Sequence, residues 1–141
     1  MLTIGGFNLR EVIIVSHGKL AVGMLDTVEM FAGKSENVKA FSMLKDQTPD
    51  YIFDSLKNEI DKHPEMDYII FTDIAGGSVN TQAMKFLNKS NVRIISGMNL
   101  PMIINCVLSK DEPLDKLVEV GKNSVSEIKE KKYNDENIWE D

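Results

Sequence analysis

The feature that most limits the fold of this chain is a regular alternation of short apolar runs with longer amphipathic ones. "REVIIVS", from Arg10, is rich in Val and Ile with no polar alternation, the pattern of a strand buried on both faces. The next segment places Leu20, Met24, Leu25, Val28 and Phe31 at helical spacing, with Gly33 as the expected stop. "NVKAFSM" reads as a second, weaker strand. "TPDYIFDSLKNEIDKH" opens with a Thr-Pro-Asp helix start and repeats Ile52, Leu56 and Ile60 one turn apart. "MDYIIFTD" is a third strand, "VNTQAMKFLNK" a helix with Ala83, Met84 and Leu87 as its buried stripe, and "NVRIISG" a fourth strand. "LPMIINCVLSK" reads as a short apolar helix, and "EPLDKLVEVGKNSVSEIKEKK" as a polar, amphipathic one.

The order β-α-β-α-β-α-β-α-α predicts an α/β fold: three layers, α/β/α, around a mainly parallel central sheet of four strands. Crossovers are expected to be right-handed. The length of 141 residues suits one domain. The expected organisation is a flexible leader over 1–9, the domain over 10–130 and an acidic tail over 131–141 containing the lone Trp139. A net charge of −6 argues against sequence-independent nucleic-acid binding, which needs a basic face. Cys106 is the one cysteine, so no internal disulfide can form; it reads as a small buried hydrophobe in a reducing compartment. No apolar run approaches the ~20 residues that span a bilayer, and the N-terminus lacks the shape of a signal peptide.

In open parallel sheets, ligands bind beyond the carboxyl ends of the strands, near the switch in strand order. The first strand ends in Ser16-His17-Gly18, the third in Thr72-Asp73 followed by "IAGGSVN", and the fourth in Ser96-Gly97 followed by "MNLPM". A neutral imidazole is a good nucleophile once its tautomer is fixed, and a carboxylate fixes it by accepting the proton of one ring nitrogen. His17 and Asp73 are the candidates for those roles. Gly76, Gly77 and Ser78 lead into a helix, where backbone N–H groups and the dipole favour an anion such as a phosphoryl group. Ser78 could both cap that helix and donate its hydroxyl, while Gly18 leaves room beside the ring of His17.

Each part alone has a plainer reading. A lone His at a strand end is usually a hydrogen-bonded boundary residue, Asp73 alone an Asx-turn or cap, and Gly-Gly-Ser alone a turn into a helix. Neither a P-loop nor a dinucleotide fingerprint occurs, and no metal-ligand spacing is matched, so no cofactor and no metal are expected. His63, in "DKHPEMD", falls at the opposite edge of the sheet and reads as a solvated loop residue.

Taken together the three segments have a resemblance. "IIVSHGKLAVGMLDTVEMFAGKSENVKAFSM", "FTDIAGGSVNTQAM" and "ISGMNLPMIIN" resemble, in order, motifs of the enzyme IIA domains of the mannose family of the bacterial sugar phosphotransferase system. The resemblance spans roughly residues 10 to 130. It implies a phosphotransferase that works as a phosphocarrier. His17 would accept a phosphoryl group from the phosphorylated histidine carrier protein HPr and pass it to an enzyme IIB, which serves a membrane IIC/IID complex. Asp73 would hydrogen-bond the ring, and Ser78 with the backbone around Gly76 and Gly77 would hold the phosphoryl group. It also implies a cytoplasmic location and a homodimer, with a fifth strand exchanged between subunits near "NSVSEIKEKK", although Val125 and Ile128 there have helical spacing. Val79 stands where the family has proline, and Ala75 where larger residues are common. Alternative readings are the phosphotransfer subunit of a dihydroxyacetone kinase system, a regulatory phospho-histidine domain without a transport role, and a flavodoxin-like binding module. The expected form is a free-standing IIA, with IIB on a separate polypeptide.

Overall fold

The computed structural model describes residues 3–4 and 7–130. Thr3–Ile4 (β1) pairs antiparallel with Phe7–Asn8 (β2), within the segment expected to be a leader. The domain then runs Arg10–His17 (β3), Leu20–Ala32 (α1), Val38–Met43 (β4), Pro49–Lys62 (α2), Asp67–Thr72 (β5), Ser78–Met84 (α3), Val92–Ser96 (β6), Leu100–Leu108 (α4) and Leu114–Asn123 (α5). The last four strands form one sheet in the order β4-β3-β5-β6, every pair parallel. The expected tail over 131–141 lies outside the described residues.

The side-chain alternation of β3 assigns the layers. Val12 and Ile14 pack with α1, α4 and α5 through Val28, Ile103 and Leu117. Ile13 and Val15 pack on the other face with α2 and α3 through Ile52, Leu56, Ile60 and Ala83. Ile13, Ile14 and Val15 have no exposed surface, so each contributes about 1.5–3 kcal/mol of burial. A register slip by one residue would exchange the two sets, and both faces are filled, so the pairing is well specified.

Topology positions the site. The chain leaves β3 toward β4 over the α1 face, then returns across β3 to β5 over the α2 face. The strand order therefore switches between β3 and β5, and the carboxyl ends of these neighbours carry His17 and Asp73.

Two sequence expectations, for α3 and α5, are corrected in detail, and the buried face of α1 is set by tertiary bonds. α1 buries Ala21 and Val28 and leaves Leu20 and Phe31 exposed. Its first turn is pinned by the bonds from Ala21 N–H to Ser16 Oγ and from Val22 N–H to Ser42 Oγ, which turn Ala21 inward. α3 ends at Met84, and Phe86 is buried while Met84 and Leu87 are exposed. The bonds from Lys85, Phe86 and Leu87 to carbonyls three residues back tighten the turn and rotate the stripe out of α-helical phase. α5 stops at Asn123 rather than continuing through the lysine-rich segment. Ser124 Oγ donates to Gly121 O and so competes for the helix's terminal carbonyls. The segment 125–130 has no regular structure, and Val125 and Ile128 are exposed.

Candidate phosphoryl-acceptor site

The corner after β3 is held from below. Ser16 is fully buried; its Oγ accepts from Ala21 N–H at 2.7 Å and donates to Gly18 O at 3.3 Å. Gly18 N–H donates to Met43 O at 2.8 Å, at the end of the neighbouring strand. Gly18 has φ 58°, which a side chain rarely adopts, while a Cβ there would meet open space. Its need for glycine is thus conformational, rather than the room beside the ring expected from the sequence. The corner turns His17 up to the edge, with 42% of its side chain exposed.

Asp73, the first residue past β5, meets that ring. Oδ2 accepts from the His17 backbone N–H at 2.8 Å and lies 2.8 Å from Nδ1; Oδ1 accepts from Ile74 N–H at 2.9 Å. Burial of Asp73 disfavours its charge, but the His17 backbone N–H, the His17 ring and the Ile74 N–H outweigh it. They hold the carboxyl below its ordinary value of 3.8. An ionised carboxylate only accepts, so Nδ1 carries the proton and the lone pair of the neutral ring sits on Nε2. Ser78 Oγ stands 3.0 Å from Nε2 and donates to it.

The loop between them closes on the ring. Gly76 takes φ 81°, and a Cβ on Gly77 would lie 3.1 Å from His17 Cε1 and 2.9 Å from Ile74 Cγ2. Gly77 is therefore the glycine that permits close approach. Gly77, not Ser78, is the N-cap of α3; Ser78 opens the helix and its hydroxyl is engaged by the histidine. Val79 is fully buried in the α2–α3 layer, and Ala75 is exposed on the loop.

His17, Asp73, Gly77 and Ser78 are thus brought into contact, with Gly18 and Gly76 shaping the backbone. The fourth strand end has a different task. Asn99 Oδ1 caps α4 through Met102 N–H, and its Nδ2 donates to Gly121 O at 2.8 Å, tying α5 to the sheet edge. His63 ends α2 near Glu65, away from this edge, and Cys106 is buried, its thiol pushed up to about 11 by burial. Ser16 also belongs to the site's support; its place between an apolar strand and the histidine is the sequence signal for it. Thr72 and Asn80, both buried, lie beneath the loop, and no local sequence pattern marks them as part of the site.

Fold and site define a class: an α/β domain displaying, at the strand-order switch, a histidine with one nitrogen held by a carboxylate and the other open to a small donor. The EIIA-man family, described as the PTS system fructose IIA component, matches residues 11–120, and the chain belongs to this family of sugar phosphotransferase system IIA components. The mannose-specific EIIAB component of Escherichia coli K12 is 27% identical over 128 residues, which cover 85% of this chain and 40% of that protein. The chain therefore spans about two fifths of that relative's length. The sorbose-specific EIIA component of Klebsiella pneumoniae is 31% identical over 96 residues, covering 67% and 70% of the two chains. The crystal structure of a PTS IIA protein associated with the fucose utilization operon of Streptococcus pneumoniae superposes with a TM-score of 0.78 at 30% identity. That match covers 85% of this chain and 93% of the other. Among the described residues no helix is long and apolar enough to cross a membrane.

Proposed function

We propose that the chain is a phosphocarrier that takes a phosphoryl group from phospho-HPr onto His17 Nε2 and passes it to an enzyme IIB in sugar uptake. One observation carries this reading: an exposed ring whose Nδ1 is held by Asp73 and whose Nε2 meets the Ser78 hydroxyl. The Nε2 lone pair attacks phosphorus in line; the new N–P bond forms as the N–P bond to the donor's histidine breaks and that ring keeps the electron pair. Nδ1 keeps its proton, so the phosphorylated ring gains positive charge, which the adjacent Asp73 carboxylate stabilises. Ser78 Oγ–H turns from Nε2 to a phosphoryl oxygen, joined by backbone N–H groups around Gly76 and Gly77. Transfer to IIB is the same displacement reversed.

Leu20, Val22 and Ile74 are exposed large apolar side chains in α1's first two turns and in the Asp73 loop, as suits a site that meets two protein partners in turn. The carrier would work in the cytoplasm as a homodimer. Among the described residues β6 pairs only with β5, and the segment 125–130 leaves α5 with Val125 and Ile128 exposed, which supports strand exchange along that edge. The test is to incubate the protein with phosphoenolpyruvate, enzyme I and HPr and read its intact mass beside His17→Ala. One acid-labile phosphoryl group on the wild type alone is expected, discharged when a cognate IIB is added. No gain on wild type with an active carrier would sink the reading.

A further inference from the structure

Asp73 and Ser78 hold opposite nitrogens of one ring, yet the loop joining them contains Gly76 and Gly77 and has no regular structure. One long turn bond, from Gly77 N–H to Ile74 O at 3.3 Å, closes the loop, which leaves the spacing of its two ends to be fixed from underneath. Thr72, fully buried at the end of β5, lies directly before Asp73; Asn80, also buried, is the third residue of α3, two beyond Ser78. Thr72 Oγ1 lies 2.7 Å from Asn80 Oδ1 and 2.8 Å from Ser96 Oγ on β6. A hydroxyl has one proton and an amide oxygen only accepts. The order is therefore set: Ser96 O–H donates to Thr72, and Thr72 O–H donates to Asn80. The amide end of Asn80 points along α3 to Met84 Sδ at 3.4 Å. The N-cap Gly77 supplies no side-chain bond, so among the described residues this relay is the side-chain hydrogen bond that ties the first turn of α3 to the end of β5.

We propose that Asn80, acting through Thr72, is a positioning residue for phosphoryl transfer: it clamps α3 to β5 so that Ser78 Oγ stands at Nε2. The inference rests on the reading of His17 as the phosphoryl acceptor. A clamp acting through Ser78 has a consequence that general loosening of the core does not: its loss must be invisible once Ser78 Oγ is gone.

The test uses the full chain in single-turnover transfer from phospho-HPr. Thr72→Val, of nearly the same shape, should slow transfer about tenfold, the scale of one lost buried hydrogen bond. Thr72→Ser, which restores the hydroxyl, should return it to within about threefold, and Thr72→Val should cost less than about twofold in a Ser78→Ala background. The 15N shift of His17 Nε2 in the unphosphorylated protein should move in Thr72→Val toward its value in Ser78→Ala. If Thr72→Val does not stay folded at the assay temperature, Asn80→Ala should show the same dependence on Ser78. Wild-type rates in Thr72→Val, or the full tenfold loss persisting without Ser78, would overturn the clamp. The two failures are distinct. A wild type that takes no phosphoryl group overturns the functional reading and the inference with it; an active wild type with additive losses overturns the clamp alone.

Discussion

Replacing Asp73 by asparagine tests the electrostatics of the site most sharply. Three donors converge on its two oxygens: the His17 N–H and the ring Nδ1–H on Oδ2, and Ile74 N–H on Oδ1. Only a carboxylate satisfies all three. An amide with its oxygen toward His17 turns its NH₂ against Ile74 N–H; reversed, it opposes both donors of His17. The first orientation loses one bond and keeps the ring near its place. A bond to a charged group is worth about 1.5–3 kcal/mol against about 0.5–1.5 for a neutral one, so the ring contact weakens by about 1 kcal/mol. The amide also loses the attraction for the positive ring that the proposed transfer would form. Together we expect about 2–3 kcal/mol in the transition state, which is on the order of 10²-fold in rate. Rapid-quench single-turnover transfer from phospho-HPr measures it, with thermal melting as a folding control. Transfer within threefold of wild type by a folded Asp73→Asn protein would refute the role given to the carboxylate.

Further outcomes follow from the same geometry. Gly77→Ala is admitted by φ −75°, but its Cβ would press on Ile74 Cγ2 and His17 Cε1. We expect stability to change by less than about 1 kcal/mol while transfer falls on the order of tenfold, since the exposed Ile74 can move and the doubly held ring cannot without leaving its line of attack; an unaltered rate would contradict this. The lowered pKa of Asp73 makes its contribution to stability full above 3.8 and lost as pH falls through the folded-state value. The gap in unfolding free energy between wild type and Asp73→Asn should therefore shrink as pH falls below 3.8; a constant gap in denaturant titrations would count against the ionised carboxylate. At the opposite edge, Lys39 lies 2.7 Å from Glu59 and 3.4 Å from the buried Glu11. Burial disfavours its charge, but the two carboxylates outweigh that and raise its pKa. Lys39→Met should cost about 2 kcal/mol, discounted from the value for a fully buried pair because Lys39 is one-third exposed; equilibrium unfolding within error of wild type would refute it.

How far the sequence could be read depended on the range of the forces involved. Apolar runs with β-branched residues marked all the strands of the main sheet, because a strand buried on both faces leaves no other pattern. The pairing of His17 with Asp73 was legible because topology alone brings the ends of β3 and β5 together. What escaped was set by single tertiary bonds. The rotation of α1 is fixed by Ser16 and Ser42, and the early end of α5 by Ser124, short polar side chains with no periodic signature. The shift of the α3 stripe from Met84 to Phe86 comes from a tightened turn that hydrophobic spacing does not encode. The distinct needs of Gly18 and Gly77, one for its dihedral and one for its contact with the ring, look the same in a sequence.

The central claim is that His17 carries the phosphoryl group on Nε2 because Asp73 holds Nδ1. Long-range ¹H–¹⁵N correlation of the His17 ring, before and after phosphorylation by HPr, tests it most directly. The account predicts a protonated Nδ1 in both states and the phosphoryl group on Nε2. A phosphoryl group on Nδ1, or on any residue other than His17, would contradict it.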